Sequence, residues 1–238
     1  MLADTEVRRI LVITAHPDDV DFGASGTIAG WTDRGIEVAY CIVTDGDAGG
    51  FDPTVPRAEI PAIRRAEQTA AAKAVGVREL HFLGHPDGQV EASMALRRDL
   101  SRVIRVVRPD RVVCQSPERN YGRIYASHPD HLAAGEAALC AVYPDARNPY
   151  AHPELAAEGL EAHTVREVWM MAAPSGGHTV DITEQIERKL EALLCHESQH
   201  QDPARIEPLI RNWGAAVAGA AGLGEGRLAE VFQVIDTG

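Results

Sequence analysis

The chain has 238 residues, 45% of them hydrophobic and 24% charged, which is ordinary globular usage and argues against a disordered chain. Its net charge of −12, from 23 basic against 35 acidic residues with no basic patch, argues against a nucleic-acid partner. No apolar run approaches the roughly 18 residues of a bilayer span.

In chain order, short β-branched runs alternate with longer helical patterns, the signature of βαβ units around a mostly parallel sheet. Strands are predicted at 10–15, 37–44, 79–83, 111–115 and 167–172, with a later pair, 178–182 and 230–235, as an edge addition. Several runs are continuously apolar, as strands covered by helices on both faces should be. A helix is predicted to begin near Phe22. Others run from Ile60 to Val75, stopping at Gly76, and from Met94 to Val107, ending before Pro109. Further helical patterns cover Leu132–Val142 and Thr183–Leu194, and Gly214–Gly226 reads as a helix end plus a mobile loop. No repeat and no composition break divides the chain, so one domain over 1–238 is expected. The acidic N-terminus precedes an apolar stretch too short for a signal peptide. Cys41, Cys114, Cys140 and Cys195 lie far apart, without the paired spacing of a thiolate metal site. Reduced thiols in a cytoplasmic protein are therefore expected.

Two constellations carry chemistry. Ala15-His16-Pro17-Asp18-Asp19 follows the first strand directly, where open parallel sheets bind their ligands. Glycines at dinucleotide-binding spacing are absent, because Gly23 and Gly26 come too late and two carboxylates would repel a pyrophosphate. Mid-chain, Ser127-His128-Pro129-Asp130-His131 opens a helix, with proline at its first position and His128 and His131 one turn apart. Together the turns supply His16, Asp19 and His131, two imidazoles and a carboxylate. That set suits a catalytic zinc holding a water, and equally the facial triad of non-haem iron(II). Asp18 and His128 remain beside the metal, as a carboxylate base and a histidine electrophile suited to amide hydrolysis.

At these residues the chain resembles the PIG-L/LmbE-like family of metal-dependent N-acetylglucosaminyl deacetylases. The likeness extends to Gly26-Thr27-Ile28, Thr44-Asp45-Gly46, Arg64-x-x-Glu67, Gly84-His85-Pro86-Asp87-Gly88 and His196-x-Ser198-Gln199, roughly residues 8–200. Val20 departs from it, standing where many members carry glutamate. The resemblance implies a Rossmann-like, mostly parallel sheet with helices on both faces and the site at the C-terminal ends of the strands. It also implies zinc on His16, Asp19 and His131, with Asp18 as general base. His128 would then be a protonated donor to the oxyanion or leaving group, Asp130 would orient His128, and Arg64 and Asp87 would reach the sugar. The implied reaction is loss of an acetyl group from the amide nitrogen of a small N-acylated amino sugar. Thiol-conjugate amidases and antibiotic-tailoring deacylases share the same metal core, and a homo-oligomer stays open.

Two rival readings are weighed. His196-Glu197-Ser198-Gln199-His200 matches the zincin signature, but it sits at a helix end near Pro203 without an obvious third ligand. A non-haem iron oxygenase would use the same triad, usually with a cosubstrate site and a β-barrel that this pattern does not suggest. His81, His85, His152, His163 and His178 are not assigned to a metal. Trp31 and Trp169 are expected in the core and Trp213 at the lid.

Overall fold

The computed structural model describes residues 1–238. Strand β1 (Arg9–Thr14) leads into two short helices, α1 (Asp19–Gly23) and α2 (Ser25–Asp33). There follow β2 (Glu37–Thr44), α3 (Ile60–Ala74), β3 (Glu79–His85), α4 (Met94–Val107), β4 (Arg111–Gln115) and α5 (Pro129–Cys140). The remainder comprises α6 (Pro153–Ala157), β5 (Glu167–Met171), β6 (His178–Asp181), α7 (Ile186–Leu194), α8 (Ile206–Ala220) and β7 (Ala229–Asp236). The sheet order is β3-β2-β1-β4-β5-β7-β6. Strands β1 to β5 pair in parallel, whereas β7 runs antiparallel to both β5 and β6. The edge addition is therefore antiparallel, its chain returning through α7 and α8.

Alternation along β1 explains the layering. Leu11 and Ile13 face one apolar cluster, built with α4 and α5, while Ile10 and Val12 face a second, built with α2 and α3. Because successive side chains point to opposite faces, an unbroken apolar strand is what a sheet covered on both sides requires. Trp31 and Trp169 belong to the second cluster, and both flank the buried Arg111 guanidinium, which pairs with Glu167 at 2.6 Å. Helix α4 begins on Ser93, whose side chain accepts from the Leu96 N–H. Ser93→Ala should cost about 1 kcal/mol, the usual value of a lost N-cap, read as a lower urea midpoint at unchanged slope.

The Ala/Gly-rich tract divides as expected into a helix end, as far as Ala220, and a loop after it, and Gly214 lets α8 approach Leu228, whose Cβ would lie 3.3 Å from an added methyl. Two local expectations are revised. Helix α5 stops at Cys140 and gives way to a wide turn over Ala141–Ala146, where Tyr143 is extended ahead of Pro144. Helix α7 ends at Leu194 and only a short 3₁₀ turn, Glu197–Gln199, follows, so His196 and His200 do not share an α-helix. Cys41 and Cys114 are buried, Cys140 and Cys195 half-buried, and all four are free thiols.

The sheet order places a topological switch at β1, whose neighbours β2 and β4 lead away in opposite directions. A crevice must open there beyond the strand ends. The Gln115 side chain at the end of β4 accepts from the Ala15 N–H at 2.9 Å, tying the two strand exits together. Residues 15–19 and 128–131 flank that crevice.

Candidate functional site

The turn after β1 folds back on itself. The Asp19 carboxylate accepts from the His16 main-chain N–H at 2.7 Å, which aims it at the strand end. Its other oxygen lies 3.0 Å from His131 Nε2, and His16 Nδ1 lies 3.3 Å from both Asp19 Oδ2 and His131 Nε2. Three donor atoms thus converge from residues that are 115 apart in the chain. A tetrahedral ion bound at roughly 2.0–2.1 Å sets its ligands about 3.3 Å apart, so the donor set fits a small divalent cation. His128 brings a third imidazole within 4.8 Å of the other two.

The far side of the His16 ring explains its orientation. Nε2 lies 3.0 Å from Asp87 Oδ1 and 3.2 Å from Asp130 Oδ2. A proton held on Nε2 by these carboxylates leaves the Nδ1 lone pair facing Asp19 and His131, the tautomer a metal needs. His16, Asp87 and Asp130 are themselves close enough to form a ligand group. One ring nitrogen cannot both donate to those carboxylates and bind a cation, so we read them as supports of the first set.

Two expected roles change accordingly. Asp130 does not orient His128 through its carboxylate, which accepts from Gly88 N–H at 2.7 Å, Val90 N–H at 3.2 Å and His16. It is the Asp130 main-chain N–H that meets His128, donating to Nδ1 at 3.2 Å as a helix N-cap. Asp87 accepts from the Ala48 N–H and contacts His16, so it supports a ligand and does not stand free for a sugar. Substituting Asp130 by asparagine should weaken metal affinity about 10- to 100-fold, the usual effect of losing an outer-shell carboxylate. Competition with a chromogenic chelator measures it, and unchanged affinity would contradict the assignment.

Asp18 stands apart from this cluster. Its backbone is left-handed, with φ 91° and ψ −29°, a conformation costly for a non-glycine residue and characteristic of functional turns. Arg64 holds it there, donating to Asp18 Oδ2 at 3.0 Å, to the Pro17 carbonyl at 2.5 Å and to the Gly46 carbonyl at 3.2 Å. Arg64 is 3% exposed and its donors are directed into the protein, so it positions the carboxylate in place of the expected sugar contact. Gln68, one helical turn further along α3, accepts from the Asp18 N–H and donates to Asp21 at 2.8 Å. Asp21 in turn meets His196 Nε2 at 2.8 Å, both side chains fully buried. His200 bonds the Leu193 carbonyl, so neither histidine of the zincin-like motif faces the metal centre. Gln68 and Asp21 escaped the sequence reading. Their one signal was the four-residue spacing of Gln68 from Arg64 on a helix.

The electrostatics follow from this packing. Burial pushes the Asp18 carboxyl up to about 6, although Arg64 opposes the rise. Burial alone would lower His16, but the carboxylates of Asp19, Asp130 and Asp87 outweigh it and lift the imidazole up to about 12. Burial likewise opposes ionisation of Asp19, yet His131 and His16 hold its carboxyl well below the usual range. A cation would take the place of the protons that these carboxylates hold on the imidazoles. His128 is lowered by burial and by the other two imidazoles, hence neutral at neutral pH and not the protonated group expected. With Nδ1 accepting from the helix, the proton of the neutral ring lies on Nε2, leaving that N–H free to donate.

Comparison with known proteins shows what the chain is similar to. The chain is 34% identical over 208 residues to the diacetylchitobiose deacetylase of Thermococcus kodakarensis, covering 87% of this chain and 76% of that one. It is 30% identical to a probable N-acetyl-α-D-glucosaminyl L-malate deacetylase 2 of Bacillus anthracis, over 81% of each chain. Among solved structures, the N,N′-diacetylchitobiose deacetylase of Pyrococcus horikoshii, complexed with its inhibitor, superposes with a TM-score of 0.90 at 30% identity. That match covers 98% of this chain and 85% of the other. Residues 11–142, which contain the turns at 15–19 and 127–131, match the family described as PIG-L, GlcNAc-PI de-N-acetylase, and the chain therefore belongs to the PIG-L family.

Proposed function

We propose that this protein is a metal-dependent hydrolase that removes the acyl group from the amide nitrogen of a small N-acetylated amino sugar. The observation that carries this reading is the convergence of His16 Nδ1, Asp19 and His131 Nε2, with the Asp18 carboxylate, held by Arg64, and the His128 ring outside that set. The names of the relatives, deacetylases of N-acetylglucosamine derivatives, support the substrate class. In this reading His16, Asp19 and His131 hold the cation, zinc by the two-imidazole, one-carboxylate donor set, with iron(II) compatible with the same ligands.

A bound divalent cation would polarise the amide carbonyl and acidify a water. Asp18 supplies the base: its carboxylate accepts the proton of the attacking water as oxygen closes on the acyl carbon. Arg64 and Gln68 fix the direction of that carboxylate by gripping its side chain and its N–H. As negative charge grows on the carbonyl oxygen, the Nε2–H of neutral His128 donates to it, a contribution typically worth about 3 kcal/mol. The proton held on Asp18 is then at hand for the departing amine. The products are acetate and a free amino sugar.

The test is incubation of the metal-loaded protein with a panel of N-acetylated amino sugars, with mass spectrometry for loss of the acetyl mass. Oxygen consumption without acetate release would favour the oxygenase reading instead. The base role also sets the pH dependence. A base raised to about 6 is ionised above that value and progressively protonated below it, and a cation nearby can only lower it further. The rate should therefore fall tenfold per pH unit on an acid limb whose midpoint is no higher than about 6. Metal content measured at each pH separates this limb from loss of the cation. A midpoint above 7 would remove Asp18 as the base.

A further inference from the structure

Two motifs singled out in the sequence, Arg64-x-x-Glu67 and His196-x-Ser198-Gln199, contact each other in the fold. Ser198 donates its main-chain N–H and its hydroxyl to the two oxygens of Glu67, both at 2.7 Å. That pair of bonds pins the turn after α7 to α3, one residue before Gln68, and the His196 ring then reaches Asp21 in the interior. His196, Asp21 and Gln68 are all 0% exposed. Beyond its 2.8 Å contact with Asp21 the His196 ring makes no bond, since Nδ1 has no partner. Burying an imidazole costs desolvation, and the bond to Asp21 is all that offsets it.

Asp21 holds the Gln68 amide one way round. Its Oδ1 accepts from no group, and its Oδ2 accepts from both Gln68 Nε2 and the His196 ring, each at 2.8 Å. A carboxylate only accepts, so Gln68 turns its NH₂ toward Asp21 and its oxygen toward the Asp18 N–H, which it meets at 2.9 Å. Reversed, the amide would set its NH₂ against that N–H. Residue 18 depends on the acceptor, because its φ of 91° is costly and persists only while the surroundings impose it. Arg64 grips the Asp18 side chain, and Gln68, one turn further along α3, grips its main chain.

We propose that His196 and Asp21 are positioning residues for Asp18. His196 fixes the Asp21 carboxylate, Asp21 fixes the Gln68 amide, and Gln68 holds residue 18 in the left-handed turn that aims its carboxylate at the attacking water. The inference rests on the reading of Asp18 as the base. The side chains of His196, Asp21 and Gln68 bond to none of His16, Asp19 and His131, so disturbing them lowers turnover while metal and substrate stay bound.

The zinc-loaded protein and its variants are assayed with N-acetylglucosamine and N,N′-diacetylchitobiose, with metal content measured on each preparation. His196→Leu, which fills the space without a donor, should lower kcat at least tenfold, with KM and metal content within threefold of the parent. His196→Gln, whose amide N–H stands about where the imidazole holds Nε2, should restore kcat to within threefold. If His196 acts through Gln68, the losses in His196→Leu and Gln68→Met do not multiply in the double variant. A His196→Leu kcat within threefold of the parent, a glutamine variant no faster than the leucine one, or multiplying losses would each overturn the inference. Removing one partner of a buried pair can unfold a protein. Asp21→Asn keeps the shape and strands no charge, and its amide no longer dictates which way Gln68 turns, so it should show the same selective loss of kcat. If the parent cleaves no amide, the deacetylase reading has failed, and hydrogen exchange at the Asp18 main-chain N–H, followed by NMR, decides the positioning separately. Exchange at least tenfold faster in His196→Leu and Asp21→Asn, and parental in His196→Gln, would support it; parental exchange in all three would overturn it.

Discussion

Replacing Asp18 by asparagine is expected to lower kcat/KM at least a hundredfold while metal content and fold are retained. The magnitude is that of general-base catalysis, commonly 10²- to 10⁴-fold. Asparagine is the informative substitution because of the backbone. Residue 18 sits at φ 91°, and asparagine tolerates the left-handed region far better than alanine does. Its amide oxygen can still accept from Arg64, and its N–H still meets Gln68. What disappears is the capacity to take a proton. Metal analysis, circular dichroism and turnover measured on one preparation give the three readouts needed. An asparagine variant within threefold of the parent rate would end the assignment, whereas loss of metal together with activity would mean that Asp18 belongs among the ligands.

The second large effect is the converse: His131→Ala should lose the metal itself, and with it essentially all turnover. His131 Nε2 is one of three donor atoms, at 3.0 Å from Asp19 and 3.3 Å from His16. Without it the cation would keep one imidazole and one carboxylate, too few for a site that must also leave positions open for water and substrate. Metal-to-protein stoichiometry after dialysis measures the loss, and full occupancy would contradict the ligand role. The variant should stay folded, since the chain holds the turn after β1 together without a cation, through the His16 N–H to Asp19 and the His16 ring to Asp87 and Asp130. The pair of variants separates binding from chemistry: one keeps the cation and loses the rate, the other loses both.

Asp130→Asn belongs between these extremes, because its carboxylate acts through His16. That residue shows how a side chain singled out in the sequence can make other contacts in the fold than those expected of it. The family resemblance implied a carboxylate orienting the His128 imidazole. In the fold the main-chain N–H performs that task, as helix caps commonly do, and the carboxylate turns to Gly88, Val90 and a histidine 114 residues away. Arg64 and Asp87 follow the same pattern. Both were expected at the sugar, and both support the residues that would carry the reaction, Arg64 through Asp18 and Asp87 through His16.

The sequence by itself determined the alternation of strands and helices, the later strand pair as an edge addition, and the two turns that bear His16, Asp18, Asp19, His128 and His131. These are local properties. Strand runs, helix caps and the spacing of a ligand turn are set by neighbours within a few residues, so they can be read without knowing the fold. Only the tertiary structure decided which outer residues serve which inner ones, that His196 is locked to Asp21 at a separation of 175 residues, and that a cleft of mixed apolar and polar lining adjoins Asp19 and His131. Those pairings arise because the strand order carries the exits of β1 and β4 to one crevice and folds α7, α8 and β7 back beside it. A side chain's role in such a place depends on which donors and acceptors the packing brings within about 3 Å, a distance that no local pattern encodes.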